Sequence, residues 1–252
     1  MQPLDPSSTA PVSRGLSIAA FGRRDRRPEL MDQPGLDERE HARALAGLRR
    51  INRLSRTVDA LWGKIGRLLP DPSGEPLRVL DLACGGGDNA IALARRAHRE
   101  GRSMVVEGCD MSAVAVACAQ SSAARGDISA RFFIHDVLRD PLPGVYDVVT
   151  CSLFLHHLDE GNAATLFRHM AAAARRLVLV DDLVRSRAGY LLAWFGCRLL
   201  SRSPVVHYDG PVSVAAAFRP AEAADLAARA GLRDVSITRH WPQRFLLAGS
   251  PR

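Results

Sequence analysis

The sequence predicts an α/β protein built on a doubly wound, mostly parallel sheet of seven strands, with a C-terminal antiparallel hairpin and an N-terminal helical cap. Three features support this prediction: short aliphatic runs alternate with segments of helical period, a glycine-rich turn follows the first run, and only a few residues join the last two runs. Buried parallel strands are short aliphatic runs separated by helical crossovers, whereas two tightly joined strands must be antiparallel. The 252 residues, 47% of them hydrophobic, suffice for one substantial core.

We expect three parts along the chain: a flexible arm over residues 1–34, a helical cap over 35–70 and an α/β domain over 71–252. The arm is rich in Pro, Ser and Arg and lacks periodicity, which indicates weak order. In the cap, apolar residues such as Leu48, Ile51 and Leu54 recur at steps of three and four, as in an amphipathic helix or helix pair. Pro70 ends the cap.

The α/β domain alternates predicted strands and helices. Ser112 is placed to cap a helix that runs to Gly126, and a later helix buries a face that includes Leu166, Phe167 and Met170. The predicted strands are 77–82, 104–109, 131–135, 145–151, 177–180, 235–239 and 245–248.

Composition excludes several classes of protein. The net charge of +7 comes from dispersed arginines, with Lys64 as the only lysine, so no basic nucleic-acid surface is indicated. The five cysteines form no CxxC pair and no zinc-like spacing. The apolar stretches 16–21 and 190–200 are too short for a signal peptide core or a bilayer span. We therefore expect a soluble, cytoplasmic protein without a transmembrane segment; peripheral membrane contact stays open, and the sequence carries no signal for an oligomeric state.

The turn after the first strand indicates a nucleotide-like ligand. Its glycines let a ligand approach the backbone and the free N–H groups at a helix N-terminus. Gly85, Gly87 and Ala90 also satisfy GxGxxA, a dinucleotide-binding pattern. However, Asp81 stands just ahead of the glycines, where it would repel a pyrophosphate. A carboxylate there suits S-adenosylmethionine, which carries an ammonium and a sulfonium and no phosphate.

Two further carboxylates follow the next two strands. Asp110 ends the second strand, about 20 residues beyond the glycine turn, where an acid accepts hydrogen bonds from ribose hydroxyls. Asp136 follows the third strand and can accept from an adenine amino group. The alternative roles are ordinary ones: Asp110 could help to cap the next helix, a duty that Ser112 makes redundant, and Asp136 could be an exposed turn residue.

These motifs, in this order, resemble those of class I S-adenosylmethionine-dependent methyltransferases, in particular small-molecule enzymes of the quinone-biosynthesis type. The resemblance covers residues 77 to about 182 and implies a Rossmann-like fold and bound S-adenosylmethionine. Ala83 stands where the family has its first glycine, which leaves slightly less room. Ala174-Arg175-Arg176 stands where the family has a Gly-Gly turn before the fifth strand, so we expect that connection to be shorter than usual. The motifs are Asp81 with Gly85 and Gly87, Asp110, Asp136, residues 146–149 and residues 153–158. The cofactor-binding positions implied by the resemblance are Asp81, Ala83, Gly85, Gly87, Asp110, Met111, His135, Asp136, Val137 and Ser152.

Methyl transfer is an in-line displacement that chiefly demands alignment and exclusion of water, although an oxygen or enolate-like carbon acceptor gains from a nearby base. Our candidates for that role are His157, Asp182 and His207, ahead of His156 and Asp209. Because His156 and His157 are adjacent, we expect at most one of them to reach the site. We expect no metal, since no third ligand stands near the pair at helical or strand spacing.

The acceptor is predicted to be a small, apolar aromatic molecule, such as a phenol, a quinol or a polyketide-like compound. Residues 183–218 form an insert that combines the apolar run 190–196 with the polar cluster 207–210. Apolar walls with a few polar groups are typical of small-molecule pockets.

Three alternatives were weighed. An NAD(P)-dependent oxidoreductase would share the glycine turn but gives no reason for Asp81. A nucleic-acid methyltransferase usually carries a Pro-Pro-aromatic motif after the fourth strand, where this chain has Thr150-Cys151-Ser152-Leu153. A non-catalytic binding protein of the same fold would bind the cofactor without turnover.

Overall fold

A seven-stranded mixed sheet forms the centre of the structure, a computed structural model that describes residues 21–31, 35–69 and 74–252. The strand order is β3-β2-β1-β4-β5-β7-β6; neighbours from β3 to β5 are parallel, and β7 is antiparallel to both β5 and β6. This arrangement confirms the predicted fold class. The strands are β1 (Leu77–Leu82), β2 (Met104–Asp110), β3 (Ala130–Ile134), β4 (Tyr146–Ser152), β5 (Ala174–Leu183), β6 (Arg233–His240) and β7 (Arg244–Ser250).

Helices cover both faces of the sheet. As predicted, Ser112 caps α4: its hydroxyl accepts a hydrogen bond from the N–H of Ala115. The short connection predicted before the fifth strand is also confirmed, because β5 begins at Ala174, directly after α5 ends. The helices are α1 (Glu38–Leu54), α2 (Thr57–Ile65), α3 (Asp88–Arg99), α4 (Ala113–Arg125), α5 (Glu160–Ala173), α6 (Arg187–Leu200), α7 (Pro204–Ala216) and α8 (Pro220–Arg229).

The cap is a pair of helices, α1 and α2. They separate at Ser55, whose hydroxyl donates to the carbonyl of Asn52 and ends α1. The predicted end of the cap at Pro70 lies outside the described residues, as does the arm before residue 21.

Two hydrophobic clusters fill the space between the sheet and its helices. Neighbouring residues of one strand enter opposite clusters, as Val148 and Val149 do, because side chains alternate along a strand. A third, smaller cluster includes Ala44, Cys197 and Val206 and packs α1 against α6 and α7. In the described part of the chain, no helix is long and apolar enough to cross a membrane.

The sheet topology decides where a ligand binds. The chain runs outwards from β1 through β2 to β3, then crosses to β4 on the other side of β1. In a doubly wound sheet, ligands bind at this switch point, beyond the carboxyl ends of the strands. Asp81, Asp110, Ser152 and Asp182 all lie at or near these ends.

Candidate active site

The turn between β1 and α3 is shaped for a ligand. Ala83, Gly85 and Gly87 have φ of 48°, 52° and 75°, in the left-handed region. A Cβ added at Gly85 or Gly86 would meet nothing within 4 Å, so this side of the turn is open. No side chain caps α3, so N–H groups of its first turn remain available. At Ala83, the left-handed conformation costs on the order of 1 kcal/mol relative to glycine.

Asp81 lies beneath this turn and is only 2% exposed. Its Oδ1 accepts a hydrogen bond of 2.7 Å from the Thr150 hydroxyl. Burial raises the pKa of Asp81 to about 7, the Thr150 hydrogen bond opposes this shift, and the charge of Asp110 adds to it. A cation beside Asp81 would favour the ionised carboxylate, so the site suits a positively charged ligand.

Asp110, the last residue of β2, stabilises the same turn by hydrogen bonds. Its Oδ2 accepts from the N–H of Gly85 at 2.9 Å, and its Oδ1 accepts from the N–H of Ser112 at 2.9 Å. Asp110 therefore does support the start of α4, because it binds the backbone of Ser112, the residue that caps this helix. An ionised carboxylate offers about four acceptor positions, so Asp110 retains capacity for ribose hydroxyls.

The remaining cofactor positions fit an adenosyl group. His135 Nε2 and Ser152 Oγ are buried and have no hydrogen-bond partner within the described part of the chain. Such orphaned polar atoms are costly unless a ligand or water satisfies them. Asp136 Oδ1 accepts from the N–H of Leu138 at 3.0 Å. Val137 is buried, whereas Met111 is exposed at the surface.

A cavity of about 460 Å³ begins just beyond the end of β4. Leu153, which directly follows Ser152, lines it with a left-handed φ of 55° that turns the chain away from β4. The walls are mainly aliphatic and come from α1, α6 and the end of β5. Apolar lining residues include Leu48, Ile51, Leu183, Leu192, Ala193 and Leu200; polar ones include Asn52, His156, His157, Gln243 and Arg244.

A buried carboxylate–histidine pair stands in the wall of this cavity. His156 Nδ1 lies 2.7 Å from Asp182 Oδ1, and the His156 N–H donates to Asp182 Oδ2 at 3.1 Å. Burial alone would lower the pKa of His156, but the charge and hydrogen bond of Asp182 outweigh burial and raise it. Burial alone would likewise raise the pKa of Asp182, but the charge of His156 and three hydrogen bonds lower it.

His157 also lines the cavity, so the expectation that at most one of the two histidines reaches the site is wrong. Both belong to one short 3₁₀ turn, and their ring centroids lie 4.3 Å apart. Burial, together with the charge of His156, lowers the pKa of His157 to about 3. His157 is therefore neutral at physiological pH and a weak base.

The structure places the other two candidates elsewhere. His207 is absent from the residues that line the cavity, and its Nε2 lies 2.7 Å from the carbonyl of Ser201. Asp209 instead binds the arm: its two carboxylate oxygens accept from the N–H groups of Leu30 and Met31 at 2.7 and 3.1 Å.

Residues 21–31 of the arm, called the strap below, pack over the histidine pair. The Arg24 guanidinium donates to the carbonyls of His156, Leu158 and Ala216 at 3.2, 2.7 and 2.8 Å. It also lies 3.5 Å from the centroid of the Phe218 ring. Sequence reasoning missed the strap because its partners are more than a hundred residues away and it has no periodicity of its own.

Glu29 of the strap adds a carboxylate beside the histidines. Its Oε1 accepts from the Ser213 hydroxyl at 2.5 Å and lies 3.7 Å from His156 Nε2. Potential ligand atoms of Glu29, His156 and His157 lie within 4.8 Å of one another. We expected no metal because the sequence offers no third ligand near His156 and His157. In the structure, the strap places Glu29 beside them as a third potential ligand.

A second buried polar cluster ties the cap to the sheet, and the sequence did not indicate it. Asp181 accepts from the Thr57 hydroxyl at 3.0 Å and lies 3.5 Å from the Arg244 guanidinium. It also hydrogen-bonds to His240. Arg244 donates to Thr57 at 2.7 Å and to Asn52 at 2.9 Å, which fixes the junction of α1 and α2 against β5 and β7.

Comparisons with known proteins agree with this geometry. A methyltransferase domain model matches residues 79–176. The ubiquinone biosynthesis O-methyltransferase of Pseudomonas entomophila is 28% identical over 125 residues, 49% of this chain and 51% of that protein. The enzyme of the same name from Burkholderia pseudomallei is 28% identical over 164 residues, 64% of this chain and 66% of that protein. The matched region thus spans between half and two thirds of these relatives.

Solved structures show the same fold. Magnesium protoporphyrin IX methyltransferase from Synechocystis, with bound S-adenosylhomocysteine, superimposes with a TM-score of 0.57 at 20% identity, covering 88% of this chain and 91% of that one. An O-methyltransferase family 2 protein from Planctomyces limnophilus, in complex with apigenin, gives a TM-score of 0.60 at 16% identity, covering 86% and 63%. The family match runs from β1 into β5, the region that carries the glycine turn and its carboxylates, and over this region the chain is similar to S-adenosylmethionine-dependent methyltransferases.

Proposed function

We propose that this protein transfers the methyl group of S-adenosylmethionine to a hydroxyl oxygen of a small, largely apolar aromatic acceptor, such as a phenol, a quinol or a polyketide-like compound. The observation that carries the proposal is the buried His156–Asp182 pair in the wall of an aliphatic cavity that begins one residue beyond Ser152. A phenol has a pKa of about 10 and gains from a base as its oxygen attacks. Carbon methylation of an enolate-like acceptor would use the same pair.

The comparisons support the same class of acceptor. The sequence relatives are named as ubiquinone biosynthesis O-methyltransferases, and one structural neighbour was solved in complex with apigenin. Both names point to oxygen methylation of aromatic small molecules. The predominantly aliphatic walls of the cavity fit acceptors of this kind.

On the cofactor side, the residues bind and orient. Asp81 would hold the ammonium group and Asp110 the ribose, while His135, Asp136 and Val137 would surround adenine. Met111 would lie along the outer edge of the adenosyl group. The loop of Ala83, Gly85 and Gly87 would wrap the methionine backbone, and Ser152 would lie beside it, towards the acceptor. The chemistry that the cofactor supplies when bound is an electrophilic methyl group on a positively charged sulfur.

On the acceptor side, we assign the base to His156 rather than to His157. Asp182 holds the Nδ1 of His156, which leaves Nε2 to accept the hydroxyl proton, and it stabilises the imidazolium that forms. Glu29, 3.7 Å from Nε2, stabilises the same positive charge. His157 has no comparable base strength, since its pKa is about 3, and we assign His207 a structural role through its bond to Ser201.

Labelled cofactor tests the proposal. The purified chain is incubated with methyl-labelled S-adenosylmethionine and a small-molecule extract, and the labelled products are identified by mass spectrometry. We expect an apolar aromatic methyl ether formed together with S-adenosylhomocysteine, and a far slower formation of this product by Asp182→Asn. Label that enters only nucleic acid or protein, or only amines, would overturn the proposal.

A further inference from the structure

One face of α6 exposes large apolar side chains to solvent. Leu191, Phe195 and Leu199 follow one another at steps of four residues and are 55%, 62% and 85% exposed. Trp194 lies beside this row and is 37% exposed. At a rise of about 1.5 Å per residue, the row is about 12 Å long. Contiguous exposed apolar surface of this kind marks a site of interaction.

The opposite side of the same helix faces the acceptor cavity. Leu192, Ala193 and Gly196 line that cavity. Two other lining residues, Leu54 and Trp241, are themselves more than half exposed. The cavity therefore has an apolar rim, and α6 belongs to both surfaces.

The surroundings of this face are strongly cationic. Residues 183–208 contain neither an aspartate nor a glutamate but four arginines, of which one, Arg185, is buried and paired with Glu222. Arg187, Arg198 and Arg202 are exposed, and the Arg198 guanidinium lies 3.9 Å from the centroid of the Trp194 ring. From α1, Arg50 joins the C-terminal end of α6 by donating to the carbonyl of Leu200 at 2.8 Å.

We infer that the exposed face of α6 docks on an anionic lipid bilayer, with the helix lying in the headgroup region. An amphipathic helix with aromatic and aliphatic residues on one side and arginines at its margins suits such a surface. A second copy of the chain suits it less, because a two-fold interface would bring equivalent arginines towards each other without a carboxylate on this segment. Docking does not depend on methyl transfer; delivery of an apolar acceptor from the bilayer to the cavity rests on the proposed function.

Vesicle binding tests the inference. The purified full chain, without cofactor or acceptor, is co-sedimented with vesicles of phosphatidylcholine alone or with about 30% phosphatidylglycerol, at low and high salt. We expect binding to the anionic vesicles that salt weakens. The double variant Phe195→Ser/Leu199→Gln should lower that binding at least about tenfold, since it removes much of the apolar contact. Val114→Gln on α4, at a position 69% exposed, is the matched control and should bind like the parent.

Circular dichroism and thermal melting confirm that both variants fold. The inference is overturned if the parent chain does not bind anionic vesicles at low salt, or if the double variant binds as well as the parent. It is equally overturned if light scattering shows a dimer that the double variant dissociates, because the face is then an interface between copies. Since no methyl transfer is measured, a failure of the proposed function would leave the vesicle result standing.

Discussion

The cofactor side and the acceptor side of this molecule are built in different ways. On the cofactor side, each functional residue lies at the end of a strand or shortly after it, and the contact between Gly85 and Asp110 joins the ends of neighbouring strands. On the acceptor side, the strap adds contacts between distant parts of the chain: Glu29 meets Ser213, and Leu30 meets Asp209. A short motif therefore specifies the cofactor, whereas only tertiary packing specifies the acceptor. This difference predicts that a substitution on one side can lower cofactor affinity, and a substitution on the other side can lower kcat or raise the KM for the acceptor, each without the other effect.

The largest effect is expected from Asp182→Asn. The neutral amide cannot stabilise an imidazolium, so the pKa of His156 falls and kcat should drop about 100- to 10,000-fold. Calorimetry should show an unchanged dissociation constant for S-adenosylhomocysteine, since the change lies on the acceptor side. His207→Asn is the control and should retain kcat. Parent-like turnover by Asp182→Asn would remove the pair from the mechanism.

Asp110→Ala should weaken cofactor binding. Loss of the acceptor for the Gly85 N–H and the ribose hydroxyls should raise the dissociation constant of S-adenosylhomocysteine about 10- to 100-fold, given the usual strength of hydrogen bonds to charged groups. Asp140→Ala, which removes an exposed carboxylate after β3, is the matched control. If calorimetry shows equal affinities for the two variants, Asp110 does not hold the ribose.

Asp81 should make cofactor affinity depend on pH. Its pKa of about 7 means that the carboxyl is mostly neutral below that pH and charged above it. The charged form attracts the ammonium group, so affinity for S-adenosylhomocysteine should rise about tenfold between about pH 6 and 7.5. It should fall again at higher pH, once the amino group of the ligand loses its proton. Asp81→Asn should abolish the rise on the acid side; an unchanged profile in that variant would assign the dependence to another group.

Asp209→Ala should loosen the strap. It removes the acceptor for the N–H groups of Leu30 and Met31, but the contacts of Arg24 still hold the strap, so the KM for the acceptor should rise only about fivefold. The dissociation constant of S-adenosylhomocysteine should not change. Limited proteolysis should cut the variant faster within residues 21–31, and an unaltered cleavage rate would mean that Asp209 does not hold the strap.

The smallest effect is expected from chelation of metal ions. If His156 Nε2 accepts the hydroxyl proton, EDTA should leave kcat unchanged. Chelation distinguishes the two roles because the ligand atoms of Glu29, His156 and His157 lie close enough together to hold a metal ion. Loss of turnover that a divalent ion restores would show that His156 acts as a ligand and not as a base.

Most of the sheet and the cofactor side could be predicted from the sequence, because each depends on local pattern. All seven strands were placed, with the bounds of β5, β6 and β7 too short, and the turn from Ala83 to Gly87 follows from glycine content and Asp81. The network of Asp181 with Arg244 could not be predicted, because a lone arginine in a strand has no local signal for a buried partner. The pairing of His156 with Asp182 needed the fold to bring the ends of β4 and β5 together.

The most direct test is a crystal structure of the chain with S-adenosylhomocysteine and its methylated product, because it shows how the acceptor lies between His156 and the cofactor. We predict that the methoxy oxygen lies within hydrogen-bonding distance of His156 Nε2 and that its methyl group points past Ser152 towards the cofactor sulfur. A product whose methylated atom lies elsewhere in the cavity, away from His156, would contradict the assignment of this histidine as the base.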